Sequence, residues 1–261
     1  MPGTSLMNFK GQVVLVTGSG RGIGAAIARA FAEHGAAVAV NYLRDAASAE
    51  AVVKDCRDAG GDALALQADV SEPAAAARLV DTVVSEFGRL DVAVNNAFAP
   101  YAFDPEQRLR FGEVGWDAYL KQFEGAVGAA HHVCRSALPH LRRNARGAIV
   151  NIATDLVEHP VVPYHDYATA KSALVGFTRN LAAELGPQGV RVNCVAPGLV
   201  YPTQSSASTR AGFRDAIAAT TPLRRLARPE DVAGPVLFLA SKHSAFVTGQ
   251  VLLVDGGLVM R

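Results

Sequence analysis

Short runs in which nearly every residue is apolar alternate along the chain with longer stretches in which apolar residues recur every three or four positions. The first run, Gln12-Val-Val-Leu-Val-Thr17, predicts a strand buried on both faces, as in a parallel sheet. Gly18-Ser-Gly-Arg-Gly-Ile-Gly24 makes a turn, and Ala25 to His34 has the small-residue texture of a helix. The same rhythm then repeats. Further strands are expected at Ala36–Tyr42, Ala63–Ala68, Leu90–Val94, Gly147–Thr154, Val190–Val195 and Gln250–Asp255. Helices are expected at Ala46–Ala59, from Ser71-Glu-Pro73 to Phe87, and at Trp116–Arg143, Tyr164–Leu185 and Pro229–Ser241. Seven strands alternating with helices imply an α/β fold with a doubly wound parallel sheet flanked by helices on both faces. Residues 1–9 read as a short polar leader and Phe98–Gly115 as a loop over the mouth of a site. Leu199–Thr221, rich in Ser and Thr, reads as a substrate lid with a short helix inside. Nothing marks a second domain in residues 1–261.

Composition narrows the partners. Half of the residues are hydrophobic and 19 % are charged, which provides a core and argues against disorder. A net charge of +1 gives no electrostatic case for nucleic acid or an anionic membrane, so a small-molecule substrate is expected. No apolar run reaches membrane-spanning length and the first ten residues do not resemble a secretion signal. Cys56, Cys134 and Cys194 form no CxxC pair, which suits a reducing compartment, and a cytoplasmic location is expected. His131-His132 and Cys134 lack the spacing of a metal site, and no GxSxG elbow of a serine hydrolase is present.

Candidate chemistry centres on Tyr164-His-Asp-Tyr-Ala-Thr-Ala-Lys171, where Tyr167 and Lys171 share a helix face. An ammonium about 4 Å from a phenol favours the phenolate by about 4 kcal/mol at an effective dielectric of 20, at most about three pKa units. A phenol tuned in this way can exchange a proton with a carbonyl oxygen. Chance also puts Tyr and Lys at this spacing, with Tyr in the core and Lys reaching water, so the surroundings decide. Thr154 closes the fifth strand at its carboxyl end, where open parallel sheets bind ligands. The turn Gly18, Ser19, Arg21, Gly22, Ile23, Gly24 suits a dinucleotide pyrophosphate, although Ile23 stands where a GxGxxG match would need glycine. A plain strand-to-helix turn would use the same glycines. The second strand ends on Tyr42, where an NAD site would offer a carboxylate. Arg21 and Arg44 are placed for a 2′-phosphate, so NADPH is expected ahead of NADH, with Asp45 as a counterweight. Asp69-Val70 is positioned for an adenine ring, and Asn95-Asn96-Ala97 for bonding the turn while leaving room for a ribose.

These pieces, with Pro197-Gly198 and the ending Thr248-Gly-Gln-Val…Asp-Gly-Gly257, resemble the short-chain dehydrogenase/reductase family over residues 10–259. The likeness is greatest to bacterial 3-oxoacyl-[acyl-carrier-protein] reductases, carried by Val161–Tyr167 and Thr248–Gly257. It implies a Rossmann-type sheet and a nucleotide lying over the glycine turn. It further implies that Lys171 bonds the nicotinamide ribose and lowers the pKa of Tyr167, and that Tyr167 protonates the carbonyl oxygen as hydride reaches the carbon. Three departures stand out. Thr154 occupies the place of the substrate-orienting serine, and its hydroxyl keeps the catalytic role. The family's helix asparagine has no counterpart, since the aligned positions are Ala126 or Phe123. His165, Asp166 and Asp155 are near enough in sequence to substitute, but read as surface or capping residues. Phe98 replaces a glycine and narrows the nicotinamide pocket.

The resemblance implies an NADPH-dependent carbonyl reductase, in the first instance a 3-oxoacyl-[acyl-carrier-protein] reductase of fatty acid synthesis. It leaves open an alcohol, sugar or steroid dehydrogenase, or a protein that senses NADP(H) without turnover. A ketone, an acyl thioester or an acidic acyl carrier protein is the implied partner, the last calling on Arg142, Arg143 and Arg146. It also implies a homotetramer built on the two long helices and the final strand.

Overall fold

Val13–Val16, every residue of it buried, forms β1, an interior strand of one parallel sheet. The other strands are β2 (Ala37–Tyr42), β3 (Asp62–Gln67), β4 (Val92–Asn95), β5 (Ala148–Ile152), β6 (Arg191–Pro197) and β7 (Val251–Val254), in the order β3-β2-β1-β4-β5-β6-β7. The computed structural model describes residues 7–144 and 147–260. Among these, eight α-helices complete the crossovers: α1 (Gly22–Glu33), α2 (Ala46–Asp58), α3 (Pro73–Phe87), α4 (Trp116–Phe123), α5 (Ala129–Leu141), α6 (His165–Leu185), α7 (Ala211–Thr220) and α8 (Pro229–Ala240).

One apolar cluster packs α1, α2 and α8 on one face of the sheet through Ile27, Phe31, Val52 and Leu237. On the other face α3, α5 and α6 pack through Leu79, Val133, Leu141 and Leu185. Strands covered on both sides have no solvent face, which is why they read as unbroken apolar runs. Strand order reverses at β1, which lies between β2 and β4, and this opens a crevice at the carboxyl ends of the strands. No helix among the described residues is long and apolar enough to cross a membrane.

Several boundaries differ from the sequence expectation. Phe9, inside the expected polar leader, is fully buried against Phe31 (centroids 4.8 Å apart) and its N–H donates to the His34 carbonyl. Residues 1–6 of that leader lie outside the described residues. Helix α1 starts at Gly22, inside the glycine turn. The expected helix Trp116–Arg143 is broken into α4 and α5 by a π-helical turn at Glu124–Gly128. There the loop after β4 presses on the helix: a Cβ at Gly125 would lie 2.5 Å from the Ala99 nitrogen.

Arg142 and Arg143 follow α5 at the amino end of β5, the opposite end from Thr154, so they do not surround the mouth of the site. Arg146 lies outside the described residues. The expected lid contains α7 and is bound to the loop after β4, because Phe103 N donates to Ser205 O (3.1 Å) and Thr209 Oγ1 to Phe103 O (2.8 Å). Arg210 adds an ion pair to Glu106.

Candidate active site

Thr17 directly follows β1 and anchors the crevice: its Oγ1 accepts the N–H groups of Asn96 and Ala97, each at 3.0 Å. Asn96 Nδ2 donates to the carbonyls of Thr17 and Gly18. From the other side Asn41 Oδ1 accepts the Gly18 N–H at 3.1 Å while its Nδ2 donates to Leu66 O and Ala68 O. The glycine turn is therefore pinned by two asparagines from neighbouring strands. Gly18 and Gly22 take φ of +61° and +57°, which side chains on Cβ disfavour, and a Cβ at Gly24 would lie 2.6 Å from Asn96 Nδ2. Ser19 was expected to face a cofactor, yet its buried hydroxyl donates inward to Val16 O at 2.7 Å and locks the turn. Ile23, Tyr42, Val70 and Ala97 pack into the core and form the crevice walls.

The turn fits a dinucleotide. No side chain caps the first turn of α1, so its free N–H groups and the positive end of its dipole face the crevice, and a Cβ at Gly22 would meet nothing nearer than Thr203 at 3.9 Å. Arg21 and Arg44 are exposed, and their side chains make no hydrogen bond or ion pair among the described residues. Asp45 is occupied as the cap of α2, accepting from Ser48 N (3.0 Å) and Ser48 Oγ (2.6 Å); those bonds first, and Arg21 to a lesser extent, hold its pKa below the ordinary value. Asp69 likewise accepts from Ser71. Asn95 Nδ2 donates to Asn151 Oδ1 (2.8 Å), Asn151 Nδ2 donates to Thr178 Oγ1 (2.8 Å), and Asn95 Oδ1 is a buried acceptor without a partner among the described residues. The residues that would hold a dinucleotide are thus the backbone of Gly18 to Gly24 for the pyrophosphate, with Arg21 and Arg44 as exposed cations and Asn95 as a buried acceptor.

Thr154, Tyr167 and Lys171 meet at the carboxyl end of β5. Thr154 leaves the strand in extended conformation, and its hydroxyl acts on the Tyr167 phenol by favouring the phenolate. Lys171, 2 % exposed, donates from Nζ to Ile152 O at 2.7 Å and lies 5.8 Å from the Tyr167 ring centroid and 5.2 Å from that of Phe98. Burial lowers the Lys171 pKa to about 8. The expected depression of the Tyr167 pKa does not appear. Burial pushes it up, the Asp155 carboxylate adds to this, and the Thr154 bond offsets only part. A phenolate stripped of water costs more than the nearby ammonium returns.

Aromatic rings cover the phenol. Tyr101 and Phe103 lie 5.1 and 5.0 Å from the Tyr167 ring and Phe98 lies 6.0 Å away, leaving Tyr167 6 % exposed. Tyr101 Oη donates to Asp166 at 2.9 Å, which fixes that side chain away from any relay. Asp155 is not on the surface: it is 4 % exposed, with Oδ1 3.3 Å from Thr154 Oγ1. Sequence reasoning passed over Asn41 and Asn151, although each is a lone amide in an apolar strand, and a buried amide must be paired. The places of Tyr101 and Phe103 had no local signal, since a loop folds back only through tertiary contacts.

The family model described as "Enoyl-(Acyl carrier protein) reductase" matches residues 18–259. An uncharacterized oxidoreductase of Methylorubrum extorquens is 40 % identical over 97 % of this chain and 100 % of its own length. A 3-oxoacyl-[acyl-carrier-protein] reductase of Staphylococcus aureus is 34 % identical over 94 % of this chain and 97 % of its own. Among solved structures, a 7α-hydroxysteroid dehydrogenase complexed with NADH and 7-oxo glycochenodeoxycholic acid superposes with a TM-score of 0.87 at 31 % identity, covering 97 % of this chain and 96 % of that one.

Proposed function

This chain belongs to the short-chain dehydrogenase/reductase family, and from that premise we propose that it is an NADPH-preferring carbonyl reductase whose substrate is an apolar, cyclic ketone. The observation that carries the reading is the Tyr167 phenol, protonated at neutral pH, held by Thr154 and sealed beneath Tyr101, Phe103 and Phe98. A flat apolar ring exchanges with such a cover at little cost, since ring faces replace ring faces. A reduced nicotinamide bound over the glycine turn would supply the hydride. Thr154 and Tyr167 hold the carbonyl oxygen by hydrogen bonds, and Tyr167 donates the proton that the developing alkoxide takes. Lys171 keeps a positive charge beside the phenolate that remains. The aromatic cover excludes water from the hydride path.

A 3-oxoacyl thioester is the second reading, favoured by the full-length likeness to the staphylococcal reductase. It needs a basic rim for an acidic carrier protein, and Arg142 and Arg143 stand at the far end of β5. Assaying NADPH oxidation with a cyclic ketone panel and a short 3-oxoacyl thioester separates the two. Faster turnover of the cyclic ketones is expected; faster turnover of the thioester reverses the order, and binding without turnover of any of them leaves a nucleotide sensor.

A homotetramer is proposed as well. Trp116, Leu120 and Phe123 form an exposed apolar stripe at i, i+4 and i+7 on α4, and Phe246 and Leu252 are exposed beside and on the edge strand β7. Sedimentation should give about four chain masses, and a monomer would refute the assembly.

A further inference from the structure

Asp155 has a position that the roles of Thr154, Tyr167 and Lys171 do not explain. It begins the 3-10 turn Asp155–Val157 directly after Thr154, and it is buried. Its Oδ1 lies 3.3 Å from Thr154 Oγ1, and the same hydroxyl favours the phenolate of Tyr167. Its Oδ2 lies against Gly198, where an added Cβ would be 3.2 Å from Oδ2 and 3.1 Å from the Asp255 Cβ. Two carboxyl groups thus flank one glycine in a corner with little water.

Several groups face Asp155 in this corner. Asp255, after β7, accepts the N–H groups of Gly257 (2.9 Å) and Val259 (2.8 Å). From α6 the facing group is Tyr167, while Lys171 turns to Ile152 O. On its own turn Glu158 and His159 donate backbone N–H groups to the Asp155 carbonyl, and their side chains are exposed. Neither Asp155 nor Asp255 forms an ion pair with a described Lys or Arg. Burial first, and the Asp255 charge second, push the Asp155 pKa up to about 7.

We propose that Asp155 is a positioning residue that returns protons to Tyr167 through the Thr154 hydroxyl. This rests on the reading of Tyr167 as the proton donor in ketone reduction. A hydroxyl accepts one hydrogen bond while it donates another, so Thr154 can stand between the two groups. The ketone carbon gains the hydride and its oxygen takes the Tyr167 proton. The phenolate then takes the Thr154 proton, Thr154 takes the Asp155 proton, and the carboxylate is reprotonated by water. Only the nicotinamide is oxidised and only the ketone is reduced. In alcohol oxidation the protons run the opposite way. Asp155 must be protonated for reduction, so the rate is high below pH 7 and falls as pH rises through about 7.

The test compares kcat against pH for wild type, Asp155→Asn and Asp155→Glu with a ketone that wild type reduces. Wild type is expected to lose rate about tenfold per pH unit above its midpoint. Asp155→Asn should be about 10- to 100-fold slower at pH 6, with unchanged KM and without that limb, and Asp155→Glu should restore the limb. An Asp155→Asn profile parallel to wild type overturns the proposal. Infrared difference spectra of wild type against Asp155→Asn judge the carboxyl apart from turnover. A carboxyl band titrating near pH 7 supports the proposal, and one titrating near the ordinary value of about 4 overturns it. A wild type that reduces no ketone sinks the reading of Tyr167 instead, and leaves the infrared result as a separate measurement.

Discussion

Tyr167→Phe is expected to lower kcat for ketone reduction by about 10³-fold while the NADPH Kd changes by less than about threefold, because general acid catalysis contributes about 10²- to 10⁴-fold. The substitution removes one hydroxyl and keeps the ring that Tyr101, Phe103 and Phe98 pack against. It leaves the Thr154 hydroxyl still bonded to Leu156 N and Asp155, so the fold around it has no orphaned donor. Hydride transfer is then left to form a bare alkoxide in a site with little water, and the missing proton becomes the barrier. Single-turnover rates and a fluorescence titration with NADPH check the two halves. Unchanged turnover would mean that the proton comes from another group.

Replacing Arg21 and Arg44 together by Ala should reduce the preference for NADPH over NADH, measured as the ratio of kcat/KM values, by about 100-fold. Both guanidiniums are exposed and uncommitted beside the glycine turn, and Asp45, the carboxylate that could have favoured a ribose hydroxyl, is held by Ser48. Most of the loss should fall on NADPH, with NADH kinetics nearly constant, because NADH carries no 2′-phosphate. High salt should shrink the wild-type ratio, since exposed charges are screened within about 10 Å at 0.1 M. A ratio that does not move in the double variant refutes the assignment.

The reach of the sequence differs from one residue to the next. Asn96 was readable as a clamp on the glycine turn, and it does donate to Thr17 O and Gly18 O. Its partner from the second strand, Asn41, was hidden in the run Ala-Val-Ala-Val-Asn, which was read only for its apolar period. Phe9 looked like part of a leader because its neighbours are polar, and only the packing of α1 shows it buried on Phe31. The pairing of Tyr167 with Lys171 was legible, but the sign of the phenol's shift was not. Spacing alone cannot register the loss of water, and burial reverses the sign.

By itself the sequence determined the alternation of strands and helices, the glycine turn after the first strand and the neighbourhood of Tyr167 with Lys171. Those depend on a few adjacent residues, whose backbone angles and side-chain period are set by local sterics. Tertiary structure alone decided the break of the long helix at Gly125, the removal of Arg142 and Arg143 to the far end of β5, the aromatic cover and the burial of Asp155. Each depends on which distant segments exclude water from a group, and desolvation is a property of the assembled fold rather than of any stretch of chain.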